Sequence, residues 1–311
     1  MTHRFLSNGG FVAAALLFNL AVVASLAAQA REPAAPKTLS LGLVSDAHQR
    51  EIEEHFRDFV RYVARKISVG TELEGKVVIA STSFELAKLL EQRKVDFYME
   101  SAYPTYVINF THGAGKLLLR RWKSGMADYH SVIFTRRDSE IKRLEDLKGK
   151  ILVFEDAGST SGYLLPKLFL QRRGLKLTEK SRFSADPAAT DVGYVFARSP
   201  EKLVDAVLTK QAAAGAFSDD DFSGLEEKKK ADIALLAQTE RLPRHLLSVR
   251  TDLSPALAER LEAILLAMHE DAEGRKILQK VDGTTKFDLL PGGEATMRRR
   301  LLESFYSPAS K

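Results

Sequence analysis

The 311-residue chain contains no cysteine. That absence excludes disulfides and a lipid-bearing cysteine, so nothing covalent staples or tethers the chain. It also lacks an unbroken apolar run of spanning length. The stretch Phe11 to Leu26 is preceded by Asn8, Gly9 and Gly10 and interrupted by Asn19, whereas a membrane-crossing helix needs about 20 predominantly apolar residues. No internal repeat or low-complexity tract follows. No histidine or spaced carboxylate set accompanies the acidic run Asp219-Asp220-Asp221, so a metal there is weakly supported; no metal and no organic cofactor are expected.

The amino terminus has a basic start (Thr2-His3-Arg4), then the apolar run, then the small-x-small site Ala28-Gln29-Ala30. This order is that of a secretory signal peptide, with cleavage expected after Ala30. Removing residues 1–30 from 311 leaves 281, a length at which chains divide into two lobes. The expected product is soluble, periplasmic and monomeric, with no stable membrane insertion after cleavage. Arg4 is the only charged residue in the removed part, so the remaining charge is one unit below the +5 of the whole chain. Lys228-Lys229-Lys230 and Arg298-Arg299-Arg300 read as solvated helical faces. No aromatic residues interleave with them, and no nucleic-acid partner is expected.

Residues 31–37 read as a polar linker. Beyond it, strand-like runs alternate with helical ones: strand 38–44, helix 49–67 with Ile52, Phe56, Phe59, Val60 and Val63 on one face, strand 76–80, helix 83–92 and strand 95–99. The pattern resumes with strands 129–135 and 151–154, helix 162–172, strand 193–197, helix 200–210 and strand 213–217. Extended runs 233–238 and 246–250 precede helices near 255–270, 272–281 and 294–304. This is an α/β architecture with helices covering a parallel sheet. Two such units are expected, joined by crossings near 131–137 and 238–246.

In open α/β sheets a ligand sits beyond the carboxyl ends of the strands. The segment Gly158-Ser159-Thr160-Ser161-Gly162-Tyr163 follows strand 151–154 and opens a helix. Three hydroxyls and free backbone N–H groups there suit a tetrahedral oxyanion at the positive end of a helix. Ordinary N-capping is the plainer alternative, although a cap uses one such residue.

The run Phe154-Glu155-Asp156-Ala157-Gly158-Ser159-Thr160-Ser161-Gly162-Tyr163-Leu164-Leu165-Pro166 resembles the signature of the phosphate/phosphite/phosphonate periplasmic binding proteins, the PhnD-like substrate-binding components of ABC transporters. The likeness extends to Asp146-Leu147-Lys148-Gly149-Lys150, Val95-Asp96-Phe97 with Tyr103, Tyr129-His130-Ser131-Val132 and Gly215-Ala216-Phe217, over about 38 to 290. The resemblance implies a type II periplasmic binding protein fold, with two α/β lobes around a central cleft. Lobe 1 would be 38–131 plus 245–311, and lobe 2 would be 132–244. It implies capture of a small phosphorus oxyanion for an ABC permease in the inner membrane. Ser159, Thr160 and Ser161 would hold the oxygens, with Ser101, Tyr103, Tyr129 and Ser131 completing the site. Either tyrosine has an equally good reading as a packing residue.

The sequence departs from the family at Glu100-Ser101-Ala102-Tyr103-Pro104, where Gly-Pro is common. Glu100 there would repel a fully ionised ligand, accept a bond from a protonated one, or pair with a ligand amine. At Arg198-Ser199 a usual histidine is replaced. In the run Ser218-Asp219-Asp220-Asp221, Asp219 or Asp220 is placed to pair with a ligand ammonium, unless the run only caps a helix. Two other functions fit the same residues. One is a binding protein that presents its ligand to a receptor. The other is a hydrolase using the Gly158–Gly162 turn as a nucleophile elbow, which Thr160 at the central position suits poorly.

Overall fold

The structure, a computed structural model, describes Met1 and residues 37–46, 48–68 and 72–306. The expected signal peptide, apart from Met1, and the linker up to residue 36 lie outside the described residues. No described helix is long and apolar enough to cross a membrane.

The chain runs β1 (Lys37–Val44), α1 (Gln49–Ile67), β2 (Leu73–Ala80), α2 (Ser83–Glu91), β3 (Phe97–Glu100) and a short α3 (Ala102–Tyr106) that continues as one π-helical turn to Thr111. β4 (Gly115–Lys123) leads through β5 (Asp128–Tyr129) into β6 (Ser131–Arg136) and β7 (Ile151–Phe154). A π-helical turn, Thr160–Leu164, opens α4 (Leu165–Gln171). Then come β8 (Lys176–Glu179), β9 (Asp191–Phe196), α5 (Pro200–Leu208), β10 (Ala214–Ser218), α6 (Asp219–Gly224) and α7 (Glu227–Ala231). β11 (Ile233–Gln238) and β12 (Leu242–Pro243) return to β13 (His245–Arg250). The chain closes with α8 (Pro255–Ala267), α9 (Ala272–Lys280), β14 (Thr284–Leu289) and α10 (Gly293–Phe305).

Local chemistry sets the helix starts. Thr82, Ser199 and Ser254 each accept the N–H three residues on, and Pro200 and Pro255 stand at the first helical position, where a missing N–H costs nothing. α1 buries Phe56, Phe59, Val60, Val63 and Ile67 along one stripe.

Two six-stranded sheets result, ordered β14-β4-β13-β3-β1-β2 and β11-β6-β10-β7-β9-β8. Both are mixed rather than purely parallel. β1 and β3 run parallel while β13, β4 and β14 add antiparallel neighbours. β7, β8, β9 and β10 are parallel, and β6 and β11 close the antiparallel edge. Apolar cores lie on both faces of each sheet, which is why β7 is buried along its whole length. A further core joins the two halves. Leu165 of α4 packs with Ala102, Met297, Leu301 and Phe305.

The first crossing differs from expectation. Residues 131–136 are already a strand of the second sheet, hydrogen-bonded to β10 and β11. The passage between sheets instead runs through the β5–β12 ribbon, where Tyr129 pairs with Leu242 and Asp128 with Pro243.

Candidate functional site

A cavity of about 620 Å³ lies at the carboxyl ends of strands from both sheets. One wall comes from the first sheet: Val44–Asp46 at the end of β1, Ser81–Phe84 after β2, and Glu100, Ser101, Tyr103, Pro104 and Val107 from the end of β3 onward. The other comes from the second: Asp156–Ser159 after β7, with Phe196 and Arg198 after β9. This is the position that strand-end logic assigns to a ligand.

The serine-rich turn is built by close approach. Gly162 donates its N–H to the Ser159 hydroxyl at 2.9 Å, and its carbonyl accepts the Glu155 N–H at 3.0 Å. A Cβ on Gly162 would stand 2.4 Å from Glu155 Oε2 and 2.6 Å from Glu155 Cβ, so no larger residue fits without displacement. The Ser159 hydroxyl in turn donates to Glu155 Oε2 at 2.9 Å. The Thr160 hydroxyl donates to Ser101 Oγ at 2.9 Å and accepts the Tyr103 N–H at 2.8 Å, joining the two walls.

Of the nine residues expected at the site, the structure brings Glu100, Ser101, Tyr103 and Ser159 to the cavity wall. Thr160 is buried directly behind them, bonded to two of that set. Four others are not at the wall, each for a visible reason. Ser161 is buried and its carbonyl accepts the Ser131 hydroxyl at 2.6 Å. Ser131 also donates its N–H to Thr239 Oγ1 at 3.0 Å, so both serines fasten the turn to the crossing strands. Tyr129 sits in the β5–β12 ribbon under the Arg244 guanidinium, 5.1 Å from the ring centre, and burial pushes its phenol up to about 12. Asp219 is held by His130 Nδ1 at 2.9 Å and Arg241 at 3.4 Å. Its neighbours are engaged too: Asp220 pairs with Arg244, and Asp221 closes a capping box with Ser218.

Charge in the cavity is mostly negative. Burial raises Glu100 from its ordinary 4.5 to about 7, although the Val44 N–H donates to it at 2.6 Å and Arg121 pulls the other way. Burial also lifts Glu155 to about 7 against the Ser159 hydrogen bond. Asp156 shifts upward, chiefly by burial, with nearby Asp46 adding to it. Among the described residues the one cation on the wall, Arg198, faces Asp46 at 3.8 Å. Among the described residues no cluster of histidine, cysteine or carboxylate side chains suits a metal ion.

Sequence reasoning did not find Ser45, Asp46, the Ser81–Phe84 turn, Asp156 or Phe196 as wall residues. The usable signal was position: Asp46 and Ser81 follow strands as directly as Ser101 does.

Residues 41–290 match the family described as ABC transporter, phosphonate, periplasmic substrate-binding protein. Among solved structures, XAC2383 from Xanthomonas citri, bound to chloride or to ATP, is 29% identical, with 86% of this chain and 95% of that chain covered and TM-scores of 0.79 and 0.76. PhnD1 from Prochlorococcus marinus in complex with methylphosphonate is 15% identical, with 86% and 97% covered and a TM-score of 0.64. A binding-protein component of an ABC phosphonate transporter from Pseudomonas aeruginosa is 18% identical, with 87% and 96% covered and a TM-score of 0.60. These last two likenesses agree with the two-sheet architecture of a type II periplasmic binding protein. The chain belongs to the family of periplasmic substrate-binding proteins of phosphonate ABC transporters.

Proposed function

We propose that the chain captures a small phosphonate, or a related phosphorus oxyanion, in the periplasm and delivers it to an inner-membrane ABC permease. One observation carries this reading: Ser101 and Tyr103 of one wall and Ser159 of the other face the same cavity, and the Thr160 hydroxyl behind them ties the two walls together with bonds of 2.8 and 2.9 Å. Neutral donors from both walls meet there, which suits an anion held by dipoles. Ser101, Tyr103, Ser159 and Thr160 would hold the ligand oxygens, while Tyr129, Ser131, Ser161 and Asp219 hold the turn and the ribbon behind them. A tetrahedral anion is only a few times larger than a water, whose share of liquid volume is about 30 Å³. The cavity of about 620 Å³ leaves room for an organic substituent against Phe84, Phe196 and Tyr103, which favours a phosphonate over bare phosphate.

The lobes of this mechanism are 38–130 with 245–306, and 131–244 from the first residue of β6, turning on the β5–β12 ribbon. The ligand favours closure only through contacts it makes better in the closed form. Binding without catalysis is the fitting role: Thr160, at the centre of the turn, has its hydroxyl bonded across the cleft, and among the described residues no histidine stands on the cavity wall. The protein acts exported and as a monomer, with signal cleavage after Ala30. Calorimetry with methylphosphonate, phosphite, phosphate and sulfate tests the proposal. Saturable binding of a phosphorus compound, with sulfate weaker, is the expected result. Silence toward all three phosphorus compounds refutes it.

A further inference from the structure

Glu100 ends β3 and lines the same cavity as Ser101 and Tyr103, so an anion bound at that wall meets its carboxyl group. It is also the partition to a second cavity of about 330 Å³, into which His55, Arg121, His245, Lys280 and Asp282 face from the far side. Among the described residues, the arginines and the lysine lining the two cavities already have carboxylate partners. On the near side stand Asp46 and Asp156, Arg198 is turned to Asp46, and Glu155 is bonded to Ser159. On the far side the Arg121 guanidinium, 2% exposed, donates to Thr284 Oγ1 at 2.7 Å, to the Val281 carbonyl at 3.2 Å and to Asp282 at 3.3 Å. Lys280 reaches Asp58, and burial with the adjacent Arg121 and Arg244 keeps His245 neutral.

We propose that Glu100 is a specificity residue that makes a proton part of recognition: the cleft binds its phosphorus oxyanion with one proton shared between a ligand oxygen and the Glu100 carboxyl. The inference rests on the oxyanion reading of the cleft. Two like charges at hydrogen-bond distance cannot both stay ionised, and one proton between them turns repulsion into a charge-assisted bond. Burial already holds Glu100 at about 7, so the proton is accessible near neutral pH. The fully ionised ligand is thereby discriminated against, and capture strengthens as the medium acidifies.

Calorimetry in two buffers of different ionisation enthalpy counts the protons. The probes are methylphosphonate and its monomethyl ester, the latter a fixed monoanion whose own titration adds nothing. Near pH 8.5 the wild type is expected to take up close to one proton per ligand with either probe. Its affinity should fall by about tenfold per pH unit above the Glu100 titration. Glu100→Gln, checked by its thermal melt, is expected to bind without uptake and to lose that pH dependence for the ester. Binding of either probe by the wild type with no uptake overturns the proposal, whether or not the variant folds. Tight binding of 2-aminoethylphosphonate alone, again without uptake, overturns it in favour of compensation by a ligand amine. Silence toward every probe removes the oxyanion reading and this proposal with it.

Discussion

The Thr160 hydroxyl accepts the Tyr103 backbone N–H at 2.8 Å, and so ties the turn after β7 to the start of α3 across the cleft. The same oxygen donates to Ser101 Oγ, which gives one side chain both a donor and an acceptor role between the two walls. A ligand entering there meets groups that already bond each other, so its affinity depends on how well it replaces them.

Thr160→Val keeps the shape and removes both bonds. Hydrogen bonds to charged groups contribute about 1.5–3 kcal/mol, so methylphosphonate affinity should fall roughly ten- to hundredfold. Calorimetry reads the loss. An unchanged dissociation constant would mean that the Thr160 hydroxyl serves the fold and not the ligand.

Gly162→Ala places a methyl 2.4 Å from Glu155 Oε2. Overpacking of this kind costs about 1–3 kcal/mol, to be read as a lower midpoint in urea with an unaltered slope. Ligand affinity should fall as well, because the Ser159 cap on Gly162 is displaced.

The Gly158–Gly162 turn was legible because it is local: strand, glycine, hydroxyls and helix stand in one run. α1 was legible because its apolar stripe repeats at helical spacing. β4 was not. Its buried positions are Leu117, Leu119 and Arg121, so the alternation of a strand is present but its third inward residue is a guanidinium. Burying Arg121 requires Thr284 and the carbonyls of Val281 and Asp282, which come from the far end of the chain. Asp46 escaped notice for the same reason, and Arg198 was marked only as the replacement of a histidine, not as its partner. Each is an ordinary loop residue until sheet topology sets them across one cleft.

Arg121→Met tests that explanation. Breaking a buried, hydrogen-bonded charge leaves its partners unsatisfied and costs about 3–5 kcal/mol. Chemical denaturation should show a loss of that order. A neutral result would mean that water or Lys123 replaces the guanidinium without penalty.

Stability without ligand should decline between about pH 4.5 and 7. Glu100 and Glu155 each titrate near 7 when folded and near 4.5 when exposed. In that window the folded state therefore binds more protons than the unfolded chain, and stability falls as pH rises. The contribution is complete below the unfolded value and gone above the folded one. Both groups are partly solvated, so the combined decline is put at about 1–2 kcal/mol rather than the full linkage sum. Melting across the range, with Glu100→Gln and Glu155→Gln combined as a control, should show the decline in wild type and a flatter profile in the variant.

Asp46→Asn should raise anion affinity, not lower it. Asp46 and Arg198 are both largely exposed and 3.8 Å apart, so their pairing contributes little to stability. Removing the carboxylate has two consequences at the mouth: Arg198 is released toward an entering anion, and one negative charge no longer opposes it. Coulomb attraction near a surface is modest and screened, so a gain of roughly two- to fivefold at low salt is expected, fading as ionic strength rises. Arg198→Ala should move affinity the other way by a similar factor. If both substitutions weaken binding equally, the pair works as a latch on the closed form, and its charge is not what the ligand senses.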